Sequence, residues 1–83
     1  MTIQQQIERK ELEIKLYTDL ESRYVEIIAI LIKAYENLSA DTIYLREKLD
    51  QCYISKKEVL DLRADAYYAL FLLKQEQLSS PQN

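Results

Sequence analysis

Pairs of carboxylates stand one helical turn apart in this chain: Glu8 with Glu11, Glu47 with Asp50, and Asp61 with Asp65. Spacings of three or four bring both side chains to one helix face, where they could share a proton or hold a cation. Helical di-metal sites draw such pairs from several helices and add a Glu-x-x-His motif. This sequence has no histidine, so it lacks that motif, the commonest general base and the commonest transition-metal ligand. Cys52, the single cysteine, falls on a stripe with Leu45 and Leu49, the setting of a small buried thiol rather than of an activated nucleophile. Without any glycine there is no phosphate-cradling loop. The carboxylates read as solvated helix faces. The expectation is a non-enzymatic chain with no catalytic, cofactor-binding or metal-binding residues and no small-molecule substrate.

Basic pairs raise a different chemistry. Arg9-Lys10 and Lys56-Lys57 stand near the starts of helical segments, where nucleic-acid phosphates could be met. Each has acidic neighbours, however, in Glu8, Glu11 and Glu58, and the chain carries a net charge of −3 with a pI near 4.9. That balance argues against nucleic acid as the partner. A dimeric helical nucleic-acid-binding regulator is the alternative reading. The tyrosines are more informative. Tyr17, Tyr24 and Tyr35 lie almost on one line of a helix, and tyrosine suits a half-buried seam with its ring inside and its hydroxyl at the edge.

These residues need helices to position them. Glycine is absent and proline occurs once among 83 residues, which favours helices joined by short connections over a sheet. Ile3, Ile7, Ile14, Tyr17, Tyr24, Ile28, Leu31, Tyr35 and Leu38 follow a 3–4 spacing interrupted by Lys10 and Glu21, and predict a helix over 3–37. Thr2 and Gln5 have the form of a capping box at its start. Glu11 with Lys15, and Asp19 with Arg23, are spaced for i,i+4 pairs worth about 0.3–0.5 kcal/mol each. The run Asn37-Leu38-Ser39-Ala40-Asp41 predicts the break, with Asn37 in a left-handed closing conformation and Ser39 and Asp41 starting the next helix.

A second helix is predicted over 41–53. Ile54-Ser55-Lys56-Lys57-Glu58-Val59 has the cap and staple of a new start, so a third helix is predicted over 56–76, with 77–83 a flexible tail. The alternative is one unbroken second helix, because the 3–4 rhythm runs in phase from Cys52 to Val59. The fold class is therefore all-α: a small coiled-coil-like bundle of a long helix and a helical hairpin, or else two long antiparallel helices. Residues 1–76 form a single domain on this reading.

The stretch Asp65-Ala-Tyr-Tyr-Ala-Leu-Phe-Leu-Leu-Lys74 makes the two architectures differ. Its apolar run is too wide for one seam, and Tyr68 and Leu72 fall on the side of Asp61 and Asp65. With a break, the run packs near Tyr24–Leu38 and the arm Ile3–Leu20 projects. Without one, it lies beside the sparsely apolar IERKELEIK, and much apolar surface stays open. Either way, one surface remains for a partner. The expected partner-binding residues are Ile7, Ile14, Tyr17, Tyr24, Tyr68 and Leu72.

No run approaches the ~20 apolar residues that cross a bilayer. The opening MTIQQQIERKELEIK has no basic head followed by an apolar core, and the lone cysteine fits a reducing compartment, so the expected location is the cytoplasm. The last third, in its helical periodicity, resembles the small helical co-chaperones of type III secretion needle subunits, without their glycine-containing turn. The expected function is a protein-interaction module, whether adaptor, co-chaperone or inhibitor, acting on another protein or as a homo-oligomer.

Overall fold

The computed structural model describes residues 1–37 and 42–79. It contains two long helices, α1 (Ile3–Glu36) and α2 (Thr42–Ser79), packed against each other along their lengths. The described residues contain no strand. The molecule is a rod of 65 × 16 × 14 Å with a radius of gyration of 18.8 Å, against about 12 Å for a compact domain of this length.

Thr2 opens α1 as its sequence predicts. Its hydroxyl accepts the Gln5 amide at 3.1 Å, and the Gln5 side-chain oxygen accepts the Thr2 amide at 2.9 Å. This reciprocal pair satisfies two of the donors that a helix start leaves free. At the other end Asn37 is right-handed, with φ −75 and ψ −9, rather than left-handed. Its N–H closes onto the Lys33 carbonyl at 3.1 Å, which continues the helical pattern and needs no positive φ. The expected caps at Ser39 and Asp41 lie outside the described residues.

The predicted break near Ser55 is absent. α2 runs unbroken from Thr42 to Ser79, so the architecture is the two-helix alternative. The physical reason lies in the rhythm: Leu45, Leu49, Cys52, Lys56, Val59, Arg63, Ala66, Leu70, Leu73 and Gln77 hold one 3–4 spacing, and all are buried or half-buried. A turn at Ser55 would strip backbone groups of their partners, and no Gly or Asn is present to close the helix there. The helix also passes the predicted end at residue 76. Gln77 donates to the Gln4 side chain at 2.9 Å, and the Ser79 hydroxyl to the Gln75 carbonyl at 2.6 Å. The rest of the predicted tail, residues 80–83, lies outside the described part.

The seam between the helices is thin. Ile7, Ile14, Ile28, Leu45, Val59, Ala66 and Leu70 are its buried side chains. Ile7, Ile14, Ala66 and Leu70 form the main cluster, with Ile3, Tyr17 and Leu73 packed on it. The seam also carries charge: Arg63 donates to Glu21 at 2.9 Å and to the Thr18 hydroxyl at 3.2 Å. With Gln77 on Gln4, these contacts set an antiparallel register that places the free ends together.

Candidate protein-docking surface

That register decides where the expected partner-binding residues fall. The arm Ile3–Leu20 does not project, because it lies along the C-terminal part of α2. Ile7 and Ile14 are only 3% and 8% exposed, and Tyr17 packs on the same cluster. Tyr24 is half-buried on the same seam rhythm. With α2 unbroken, Ile7 and Ile14 are buried in the hairpin's own seam, and Tyr17 and Tyr24 are half-buried along it. Tyr68 and Leu72, by contrast, are 65% and 48% exposed. The structure therefore separates the six into a seam set and an open set.

More apolar surface is open than those two residues. On α1, Leu16, Leu20, Ile27 and Ile30 are exposed, and on α2 so are Tyr53, Leu62, Tyr67 and Phe71. Their spacing is not scattered. Leu16, Leu20, Arg23, Ile27, Ile30 and Ala34 repeat at intervals of four and three, a second stripe beside the α1 seam. Tyr53, Lys57, Leu60, Ala64, Tyr67, Phe71, Lys74 and Leu78 do the same on α2. In an antiparallel pair the helical wheel puts these stripes on opposite flanks, with Leu62, Ala69 and Leu72 sharing the α1 flank. The α1 stripe is written in the sequence as a second 4-3 repeat, one position before the seam repeat.

The described grooves have a matching form. One is lined by Leu16, Tyr17, Asp19, Leu20 and Arg23, another by Glu58, Asp61, Leu62 and Asp65. Residues 16, 19, 20, 23 and 58, 61, 62, 65 are each the diamond that a helix offers as a hole for a side chain of a second helix. Both lie open on the rod's flank. A third groove, where α1 ends and α2 begins, is lined by Tyr35, Thr42, Ile43, Arg46 and Glu47.

The groups singled out for chemistry stay apart. Glu8, Glu11, Glu47, Asp50, Asp61 and Asp65 are exposed, and no group of three His, Cys, Asp or Glu among the described residues could hold a metal ion. Cys52 is half-buried on the seam rhythm with Leu45 and Leu49. Lys56 is half-buried on the seam while Lys57 faces outward, so the pair does not make one basic patch. The expected Glu11–Lys15 and Asp19–Arg23 pairs are not among the ion pairs of the described residues. Lys10 instead meets Glu13 at 3.0 Å, and Glu21 meets Arg63. No described helix is long and apolar enough to cross a membrane.

Comparison with protein-family models, with curated proteins and with solved structures finds no match to this chain.

Proposed function

We propose that this chain is a non-catalytic protein-interaction module, a small helical adaptor, co-chaperone or regulator that covers its open apolar stripes with helices of a partner. One observation carries the reading. The hairpin exposes 6477 Å2, whereas a folded monomer of 9.9 kDa exposes about 5,200 Å2. The excess belongs to a rod whose flanks carry the open apolar side chains. The 4-3 spacing of the open stripes further specifies a helix, lying nearly along the rod, as what fits them.

The test compares the wild-type chain with Tyr68→Asp and Leu72→Asp. Light scattering measures the mass of each alone, and affinity capture from the source cells measures binding to other chains. Both side chains are already exposed, so circular dichroism should show unchanged helix content while the associated species is lost. A wild-type chain that is solitary in both assays would remove the proposal, whereas variants that associate as it does would take Tyr68 and Leu72 out of the docking surface and leave it to the α1 stripe.

A further inference from the structure

Resting on that reading, we infer that the partner of the α1 stripe is a second copy of this chain, with the two α1 helices antiparallel about a twofold axis near Val25. The stripe is self-complementary in that arrangement. Leu16 falls opposite Ala34 of the second copy, Leu20 opposite Ile30, and Arg23 opposite Ile27, each pair occurring twice. Ile30, 68% exposed in the lone hairpin, then enters the hole formed by residues 16, 19, 20 and 23, as knobs-into-holes packing requires.

The charges bordering the stripe support the same register. Arg23 of one copy lies within one residue of the level of Glu26 of the other, and Lys33 within two of Asp19, so the outer edge closes with opposite charges in reach of each other. Within the hairpin, none of these four side chains makes an ion pair among the described residues, and all four are exposed. A parallel α1 pairing would instead set each charge against its own copy. On α2 the same axis brings Asp65 level with Lys48 of the second copy. The assembly is an isologous four-helix bundle. It leaves the Tyr67–Phe71 flank free.

Sedimentation equilibrium at about 100 µM, above the µM-to-pM range in which interfaces of about 1,600 Å2 dissociate, tests this on the full chain. The expected mass is that of two chains. Ile30→Asp should weaken dimerisation by about 100-fold or more with helix content unchanged, because it puts a charge into the interface centre. Arg23→Glu should weaken it about 10-fold, and Arg23→Glu combined with Glu26→Arg should restore it to within about 3-fold, since the exchanged charges again face each other. A monomeric wild-type chain, an Ile30→Asp dimer of wild-type affinity, or a charge exchange that fails to restore pairing overturns the inference. If the chain is monomeric but captures a different protein that Leu72→Asp releases, self-pairing falls and the docking reading stands.

Discussion

Glu21 and Arg63 are the most instructive pair to perturb, because they are charged residues at positions where the seam rhythm calls for apolar ones. The Arg63 guanidinium donates to Glu21 at 2.9 Å, and the two side chains are 22% and 27% exposed. Exposed pairs contribute about 0.2–1 kcal/mol, whereas removing one partner of a buried pair costs about 3–5 kcal/mol. A pair about three-quarters covered falls between, so Glu21→Ala should cost about 1–2 kcal/mol, a drop of about 4–8 °C per kcal/mol in a chain this size. Arg63→Ala should cost as much or slightly more, since the guanidinium also meets Thr18 and its stem packs on the seam. The double-alanine chain should cost less than the two together, by about 1 kcal/mol of coupling. Replacing both by Leu should be neutral or stabilising by about 1 kcal/mol, at some loss of register. A slip of one heptad sets Arg63 against Ile14 or Ile28, which the charged pair penalises and a leucine pair does not. Urea unfolding followed by far-UV circular dichroism measures all four chains, at one fixed protein concentration so that association does not enter the comparison. Strictly additive single costs would refute the claim that the pair acts as a unit across the seam.

Further outcomes follow from the same geometry. Lys56→Pro separates an unbroken α2 from a helix that starts at residue 56: at a first helical position proline is tolerated, but inside α2 it should cost about 3 kcal/mol or more and reduce helix content, as thermal unfolding would show. Thr2→Ala removes the hydroxyl of the capping box and should cost about 1 kcal/mol, visible as faster amide exchange confined to the first turn of α1. Ile7→Ala, at a site 3% exposed, should cost about 2–5 kcal/mol. Tyr68→Ala, at a site 65% exposed, should change hairpin stability by less than about 0.5 kcal/mol when measured at concentrations too low for association. Equal costs for those two would mean that the arm is not packed as described.

How much of this was legible beforehand follows from the kinds of signal involved. The first helix, its capping box and its seam rhythm could be read directly, because each is local: a hydroxyl three residues before a Gln, and apolar side chains every three or four residues. The continuity of α2 was harder. Ile54-Ser55-Lys56-Lys57-Glu58-Val59 has the local form of a helix start, but it sits opposite a seam that α1 already offers, and this non-local packing overrides the cap. The assignment of Ile7, Ile14 and Tyr17 depended on that one choice, since only a turn at Ser55 would leave the arm uncovered. Tyr68 and Leu72 depended on less. They lie off any seam of the last helix whichever way the chain turns, and they are exposed.

The distribution of charge between the seam and the open flank argues for what the hairpin is built to do. Along α1 the seam includes Lys10 and Glu21, and along α2 it includes Lys56, Arg63 and Gln77, so the chain interrupts its own core repeatedly. The α1 flank stripe from Leu16 to Ala34 is interrupted once, by Arg23, whose neighbours Asp19 and Glu26 make no ion pair with it in the lone hairpin. A chain selected only to fold as a solitary hairpin would show the opposite pattern, with apolar side chains in the seam and charges on the flank. Polar groups at seam positions specify register at a cost in stability, and apolar groups on a flank cost solubility unless something covers them. Both costs are offset together if the flank closes against another helix. The hairpin then gains from association the burial that its own seam gives up, and its inner charges keep the two helices in the one register at which the outer stripe is continuous.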